Sequence, residues 1–231
     1  DNPVLGRPAT TLSYLAGNPA LEPEFTTDVE LGAQLTFLKN LINVDFAWYN
    51  RNSENQIAPI TVPSTSGYNS AFVNIGKLVN KGVEAELGLN PTIGKDLSVN
   101  VKWIFTKNVS KIEELIPGVQ RLTLNAVLSD VSSYLEVGQP FGVLRGSVNA
   151  RDEEGNLLIN PTTGLLIRSS ESAVIGNPNP DYKTGLNLGL NYKGFFMNTL
   201  FDLTKGGDIY SVTVSSLLGR GVTKDTEARE S

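Results

Sequence analysis

Apolar and polar positions alternate along this chain over long stretches. From Phe25 to Leu38 the odd positions read Phe25, Thr27, Val29, Leu31, Ala33, Leu35 and Phe37. The even positions read Thr26, Asp28, Glu30, Gly32, Gln34 and Thr36. A period of two marks a strand with one apolar and one wet face, and this stretch exceeds the usual length of about 5–6 residues. The pattern recurs over 41–51, where Ile42, Val44, Phe46 and Trp48 oppose Asn43, Asp45, Ala47, Tyr49 and Arg51. Over 82–90, Val83, Ala85, Leu87 and Leu89 oppose Glu84, Glu86, Gly88 and Asn90. Over 97–107, Leu97, Val99, Val101, Trp103 and Phe105 oppose Ser98, Asn100, Lys102, Ile104 and Thr106. Residues 184–192 carry Leu186, Leu188, Leu190 and Tyr192, and 195–204 place Asn198 and Asp202 on a polar side.

These segments predict an all-β chain with six long strands in three hairpins. The hairpins close at Lys39-Asn40, across PTIGKD and at Lys193-Gly194, connections of the short kind that hairpins prefer. The other connections, 1–24, 52–80, 107–182 and 205–231, are long and rich in Asn, Ser, Gly and Pro. Short turns at one end and long loops at the other is the layout of an antiparallel up-and-down transmembrane β-barrel segment, with periplasmic turns and external loops. Aromatic residues expected near strand ends (Phe25, Phe37, Trp48, Trp103, Phe105, Tyr192, Phe195 and Phe201) suit interfacial girdles. A soluble antiparallel sheet carries the same alternation, so a soluble β-rich carbohydrate-binding module also fits.

Composition removes several chemistries. The 231 residues include no cysteine and no histidine, which excludes thiolate–imidazole zinc sites, Ser-His-Asp triads and Cys-His pairs. A net charge of −5 without a basic run argues against nucleic acid, whose phosphates need clustered cations. There is no run of about 18 apolar residues to make a membrane-spanning helix. The opening DNPVLGRPAT lacks the basic-then-apolar pattern of a signal peptide.

The remaining candidates are weighed residue by residue. Glu84 and Glu86 share one strand face, but acid–base catalysis needs a second carboxylate across a cleft; a hydrated wall is the preferred reading. Asp152-Glu153-Glu154-Gly155-Asn156 lacks the alternating ligands and distal Glu of a calcium loop. It reads as a hairpin tip, with Asn160–Gly164 as a second turn. Lys205-Gly206-Gly207-Asp208 lacks the spacing of a phosphate-binding loop and reads as a glycine exit from a strand. No catalytic residue, metal site or cofactor is expected, and the chain is not read as an enzyme. Tyr14, Tyr68, Tyr134, Phe141 and Tyr210 are the candidate ligand contacts in loops, because aromatic faces stack on sugar rings. Arg145 is a further candidate, or a loop salt bridge.

Longer motifs carry a family resemblance. NPALEPEFTTDVELGAQLTFLKNLINVDFAWYNRNSENQI resembles a segment of TonB-dependent outer-membrane transporters, with Asn18, Pro19, Leu21, Pro23 and Glu24 in place. The next block resembles theirs at Asn74, Gly76, Asn80, Lys81, Gly82, Val83 and Glu84. VGQPFGVLRG and IGNPNPDYKTGLNLGLNYKGFFMNTLFDLTKGGDIYS resemble the SusC/RagA subfamily. The resemblance implies a partial barrel domain over 1–231 from the C-terminal half of a longer protein, without its plug. It implies an outer-membrane location in a Gram-negative cell, with the apolar face on lipid. Asp28, Glu30, Asp45, Glu84, Glu86, Lys102 and Asp202 would then face the lumen. It further implies TonB-driven import of an oligosaccharide or peptide, a SusD-like surface lipoprotein as partner, and a TonB complex engaged through the missing plug region.

Overall fold

The alternating segments form the strands of one sheet. A computed structural model describes residues 14–126 and 131–227. Its six long strands are β1 (Phe25–Phe37), β2 (Ile42–Glu54), β3 (Lys77–Leu89), β4 (Leu97–Glu114), β5 (Pro180–Tyr192) and β6 (Phe195–Gly206). They pair in chain order as a single antiparallel meander. Lys193 and Gly194 both have positive φ, 48° and 86°, which matches the twist of the two strands they join. Leu38, Lys39 and Asn40 turn the first hairpin with φ of 52°, 56° and 71°.

Register carries the alternation from strand to strand. Phe37, Ile42, Leu89, Val101, Leu188 and Thr199 form one row. Ala33, Phe46, Ala85, Phe105, Thr184 and Leu203 form another on the same face. The opposite face aligns Gln34, Asp45, Glu86, Ile104, Gly185 and Asp202. Because the side-chain period is two, a slip of one residue would send charges such as Asp45, Glu86 and Asp202 into the apolar face. No described residue packs across its apolar band: Leu31 is 65% exposed and Phe201 57%. On β4 the apolar face runs from Leu97 to Phe105, about 26 Å along the strand at ~3.3 Å per residue, the scale of a barrel's apolar band.

The strands are longer than their alternation suggested, and the long connections are not simple loops. β4 continues to Glu114, β3 starts at Lys77 and β5 at Pro180. As a result Trp48, Trp103, Phe105 and Phe201, expected near strand ends, sit in mid-strand, Trp103 and Phe201 in register with Leu186. Two small sheets stand on the loop side. One joins Leu15–Ala16, Ser70–Asn74 and Ile57–Thr61; the other joins Arg121–Ala126, Ser132–Glu136, Val143–Gly146 and Ala173–Gly176. Between them and the strand tops lies the buried core of Ile75, Ile112, Leu115 and Leu135, packed by Ile60, Val73, Leu78, Leu122, Leu124 and Val137. The stretch after β6 holds a short helix, Val212–Gly219, whose first turn is capped by Ser211 accepting from the Val214 amide at 3.3 Å. The apolar core therefore belongs to the loops, and the meander contributes only its upper ends.

Candidate functional site

The polar face of the meander is a hydrogen-bonded wall. Arg51 on β2 donates through Nε to Asp28 Oδ2 on β1 at 2.9 Å, directly across the ladder. Gln34 Nε2 donates to Asp45 Oδ2 at 3.0 Å. Lys102 Nζ on β4 meets Glu86 Oε1 on β3 at 2.7 Å. These pairs are partly open to water, so they hold side chains flat against the strands and add little stability. Glu30, Tyr49, Gly82 and Asn108 form one row across β1 to β4. Within it the Tyr49 hydroxyl donates to Asn108 Oδ1 at 3.0 Å. The ring crosses Gly82 so closely that a Cβ there would collide with its phenol end and with Lys107 O. Together Glu30, Tyr49, Arg51, Asn80, Glu84 and Asn108 surround an open recess of about 420 Å³.

Glu86 is engaged by Lys102, and Glu84 and Glu86 point to the same side of one strand, in register with Ala47 and Asp45 on β2. Among the described residues no three acidic side chains gather in a way that could hold a metal ion.

The acidic loop is a turn, as its sequence suggests. Asp152 Oδ1 accepts the amides of Glu154 (3.0 Å) and Asn156 (2.8 Å), and Asp152 O accepts from Gly155 at 3.1 Å. The Asn156 side-chain and backbone donors hold the Asp152 carboxyl below its ordinary pKa. The second turn repeats the design: Asn160 Oδ1 accepts from Thr162 and Thr163, and Gly164 takes a φ of 71°. Gly206 and Gly207 likewise adopt φ of 76° and 85° where β6 leaves the sheet, and Asp208 then ties to the amide of Asn177 at 2.7 Å.

The aromatic loop candidates fall in two groups rather than one. Tyr14 and Tyr68 belong to the first loop sheet, where Tyr14 O accepts the Asn69 amide at 2.8 Å; both side chains are exposed. Tyr134, Phe141 and Arg145 belong to the second. Tyr134 lies opposite Val143, with the Arg121 guanidinium 5.5 Å from its ring centre. Phe141 is anchored through its backbone to Ser110 Oγ and Asn179 Nδ2. Arg145 is the salt-bridge case: Nη1 meets Glu136 Oε2 at 2.6 Å, other donors reach Ser172, and the side chain is only 11% exposed. Tyr210 is half-buried, just ahead of the short helix.

Several motif residues prove to be braces. Asn74 Oδ1 accepts the Glu22 amide at 2.9 Å while its Nδ2 donates to Glu22 O and Asn55 O. Glu24 Oε1 takes the Ile57 amide at 2.6 Å, and Asn18 Nδ2 donates to Phe72 O at 3.1 Å. Glu22 and Asn55, joined at 2.9 Å, belong to this brace without standing out in the sequence. Only their position beside a matching Asn and Glu could have flagged them. Gly138 and Gln139 bond Ile112 on the overhang of β4, so the Gly-Gln-Pro loop clips the second sheet to the meander.

Known proteins resemble the chain along most of its length. The family described as TonB dependent receptor-like, beta-barrel matches residues 2–213. TonB-dependent receptor P3 of Formosa agariphila is 26% identical over 230 residues, covering 90% of this chain and 23% of that protein. TonB-dependent receptor SusC of Bacteroides thetaiotaomicron is 24% identical over 204 residues, 78% of this chain and 19% of SusC. The RagAB peptide importer in its closed-closed state superposes with a TM-score of 0.66 at 21% identity, covering 83% of this chain and 22% of that one. The chain thus spans about a fifth of the length of these relatives.

Proposed function

Since the chain belongs to the TonB-dependent receptor β-barrel family, whose members are outer-membrane proteins of Gram-negative bacteria, we propose that it forms part of the wall and external loops of a nutrient importer. The observation that carries this is the register-locked sheet with one uncovered apolar face and one hydrogen-bonded polar face. The apolar face meets lipid; Asp28, Glu30, Asp45, Glu84, Glu86, Lys102 and Asp202 face the lumen. β1 and β6 are each paired on one side only among the described residues. An open edge in hydrocarbon leaves backbone groups unpaired at several kcal/mol each, so both edges join further strands of a closed barrel. A soluble module would instead cover its apolar face with a core.

The cargo is a large nutrient, an oligosaccharide or a peptide. It is captured between the external loops and a SusD-like surface lipoprotein, and import is powered through TonB acting on the plug. A peptide is favoured by the likeness to the RagAB peptide importer. Exposed Tyr14 and Tyr68 of one loop sheet, with Tyr134 and Phe141 of the other and Tyr210 beyond β6, supply stacking and hydrogen-bonding surfaces. Arg145 braces the second sheet from within.

The test is genetic. Deletion of the gene for the whole receptor is expected to abolish growth on one nutrient class, peptide mixtures or a defined oligosaccharide, as sole carbon source. Complementation restores growth, and loss of TonB function abolishes it again. Unchanged growth of the deletion strain on every peptide and glycan tried would overturn the proposal.

A further inference from the structure

The outward face changes character above its apolar band. Three successive rows, read towards the loops, are Trp48/Val83/Lys107, then Asn50/Lys81/Val109, then Asn52/Val79/Lys111. Lys81 is thus the diagonal neighbour of both Lys107 and Lys111, about 7–8 Å away in an antiparallel ladder. All three are exposed. The β1 members of these rows are Leu31, Val29 and Thr27, so no carboxylate of β1–β4 shares them. None of the three lysines has an ion-pair partner among the described residues. Higher up, by contrast, Lys77 meets both Glu54 (3.6 Å) and Glu113 (3.5 Å). In a chain of net charge −5 this is a local concentration of cation that an anion from outside the chain can neutralise. Lys205, in register with Tyr182, adds a fourth exposed lysine to this face at the edge strand.

What lies beneath the lysines selects the anion. Trp103 stacks on Phe105 at 5.9 Å, and Phe105 meets Tyr182 at 5.6 Å, just under Lys107. Below them the face is apolar down to the turns. A ligand that satisfies both levels has a charged head and hydrocarbon tails. We infer that Lys81, Lys107 and Lys111 form a phosphate-binding stripe for a phosphorylated glycolipid of the outer leaflet, its acyl chains lying along Val83, Trp48 and Phe105; this rests on the lipid-facing assignment of the apolar face. Lysine suits the role, because its flexible stem carries a compact charge up from the hydrocarbon edge to the headgroup level. Attraction to an anionic surface is worth roughly fivefold in affinity for each lysine.

The test uses the whole receptor in phosphatidylcholine nanodiscs doped with lipid A or with dephosphorylated lipid A, with bound lipid counted by native mass spectrometry. The wild type is expected to prefer lipid A by on the order of tenfold or more, with inorganic phosphate in excess failing to displace it. The Lys81→Ser/Lys107→Ser/Lys111→Ser variant should lose the preference, and the corresponding triple Arg variant should keep it. Single Lys107→Ser, the mildest change, should lower the preference several-fold and guards against misfolding of the triple variant. Three results would each overturn the inference: no preference in the wild type, an unchanged preference in the Ser variants, or displacement by free phosphate. A fluorophore on Leu31→Cys, quenched by lipids carrying a doxyl group in their tails, separates the two levels. Quenching without lipid A preference sinks only the stripe, whereas absence of quenching sinks the lipid-facing assignment itself.

Discussion

At Gly82 a hydrogen in place of a side chain lets the Tyr49 ring cross β3 and reach Asn108. Gly82→Ala drives a methyl into that ring, and overpacking of this kind costs about 1–3 kcal/mol. A lowered guanidinium midpoint of the whole receptor is therefore expected, partly restored when Tyr49→Ser is added. If the double variant is no more stable than Gly82→Ala alone, the contact is not the cause. Asn74 tests the brace. Its side chain satisfies the Glu22 amide and the carbonyls of Glu22 and Asn55, and stranding such groups costs about 1–3 kcal/mol. Asn74→Ala should expose the chain near Glu22 to a protease while leaving the meander intact; an unchanged cleavage pattern would speak against it. At this scale the sequence was legible in part. Gly82 and Asn74 stood inside quotable motifs, but the partner that explains each lies far away in the chain, Tyr49 for Gly82 and Glu22 for Asn74.

At the scale of elements, the alternation was readable only where one face meets a uniform environment. Residues 25–37 and 97–105 announce their strands because every second residue is apolar. Above the band the polarity inverts. Leu78 and Ile112 continue the polar face yet turn into the loop core, while Lys81, Lys107 and Lys111 continue the apolar face. That inversion hid the upper ends of β3 and β4, and the small loop sheets have strands too short to show a period. The Asp152 turn, by contrast, was plain from Gly155-Asn156. Its carboxyl is held below the usual value of about 3.9 by Asn156. A depressed carboxylate pKa stabilises the turn above the unfolded value, and that contribution is lost as pH falls through the folded one. Hydrogen-exchange protection of the Asn156 amide should accordingly be flat near neutrality and drop only in strong acid, and Asp152→Asn should remove that dependence. A drop already present near pH 6 would point to another group.

For the whole molecule, the central feature is the division of one continuous sheet into an apolar band that no described residue packs across and a polar face on which Arg51 pairs with Asp28 and Lys102 with Glu86. The sequence disclosed that division before the structure did. What it could not disclose is which residues of distant loops share a surface, since that depends on the fold of the two loop sheets and their common core of Ile75, Ile112, Leu115 and Leu135. On the wall itself, Glu86 and Asp45 are engaged by Lys102 and Gln34. The most direct test scans β1 with single cysteines, one receptor variant per position from Thr27 to Leu35, in native outer membranes. Each is probed with a water-borne maleimide and with a radical confined to lipid tails. Positions 28, 30, 32 and 34 should react from water, and 29, 31, 33 and 35 should be reached from lipid, in strict alternation. Uniform reactivity from water along the strand would contradict a membrane-facing sheet.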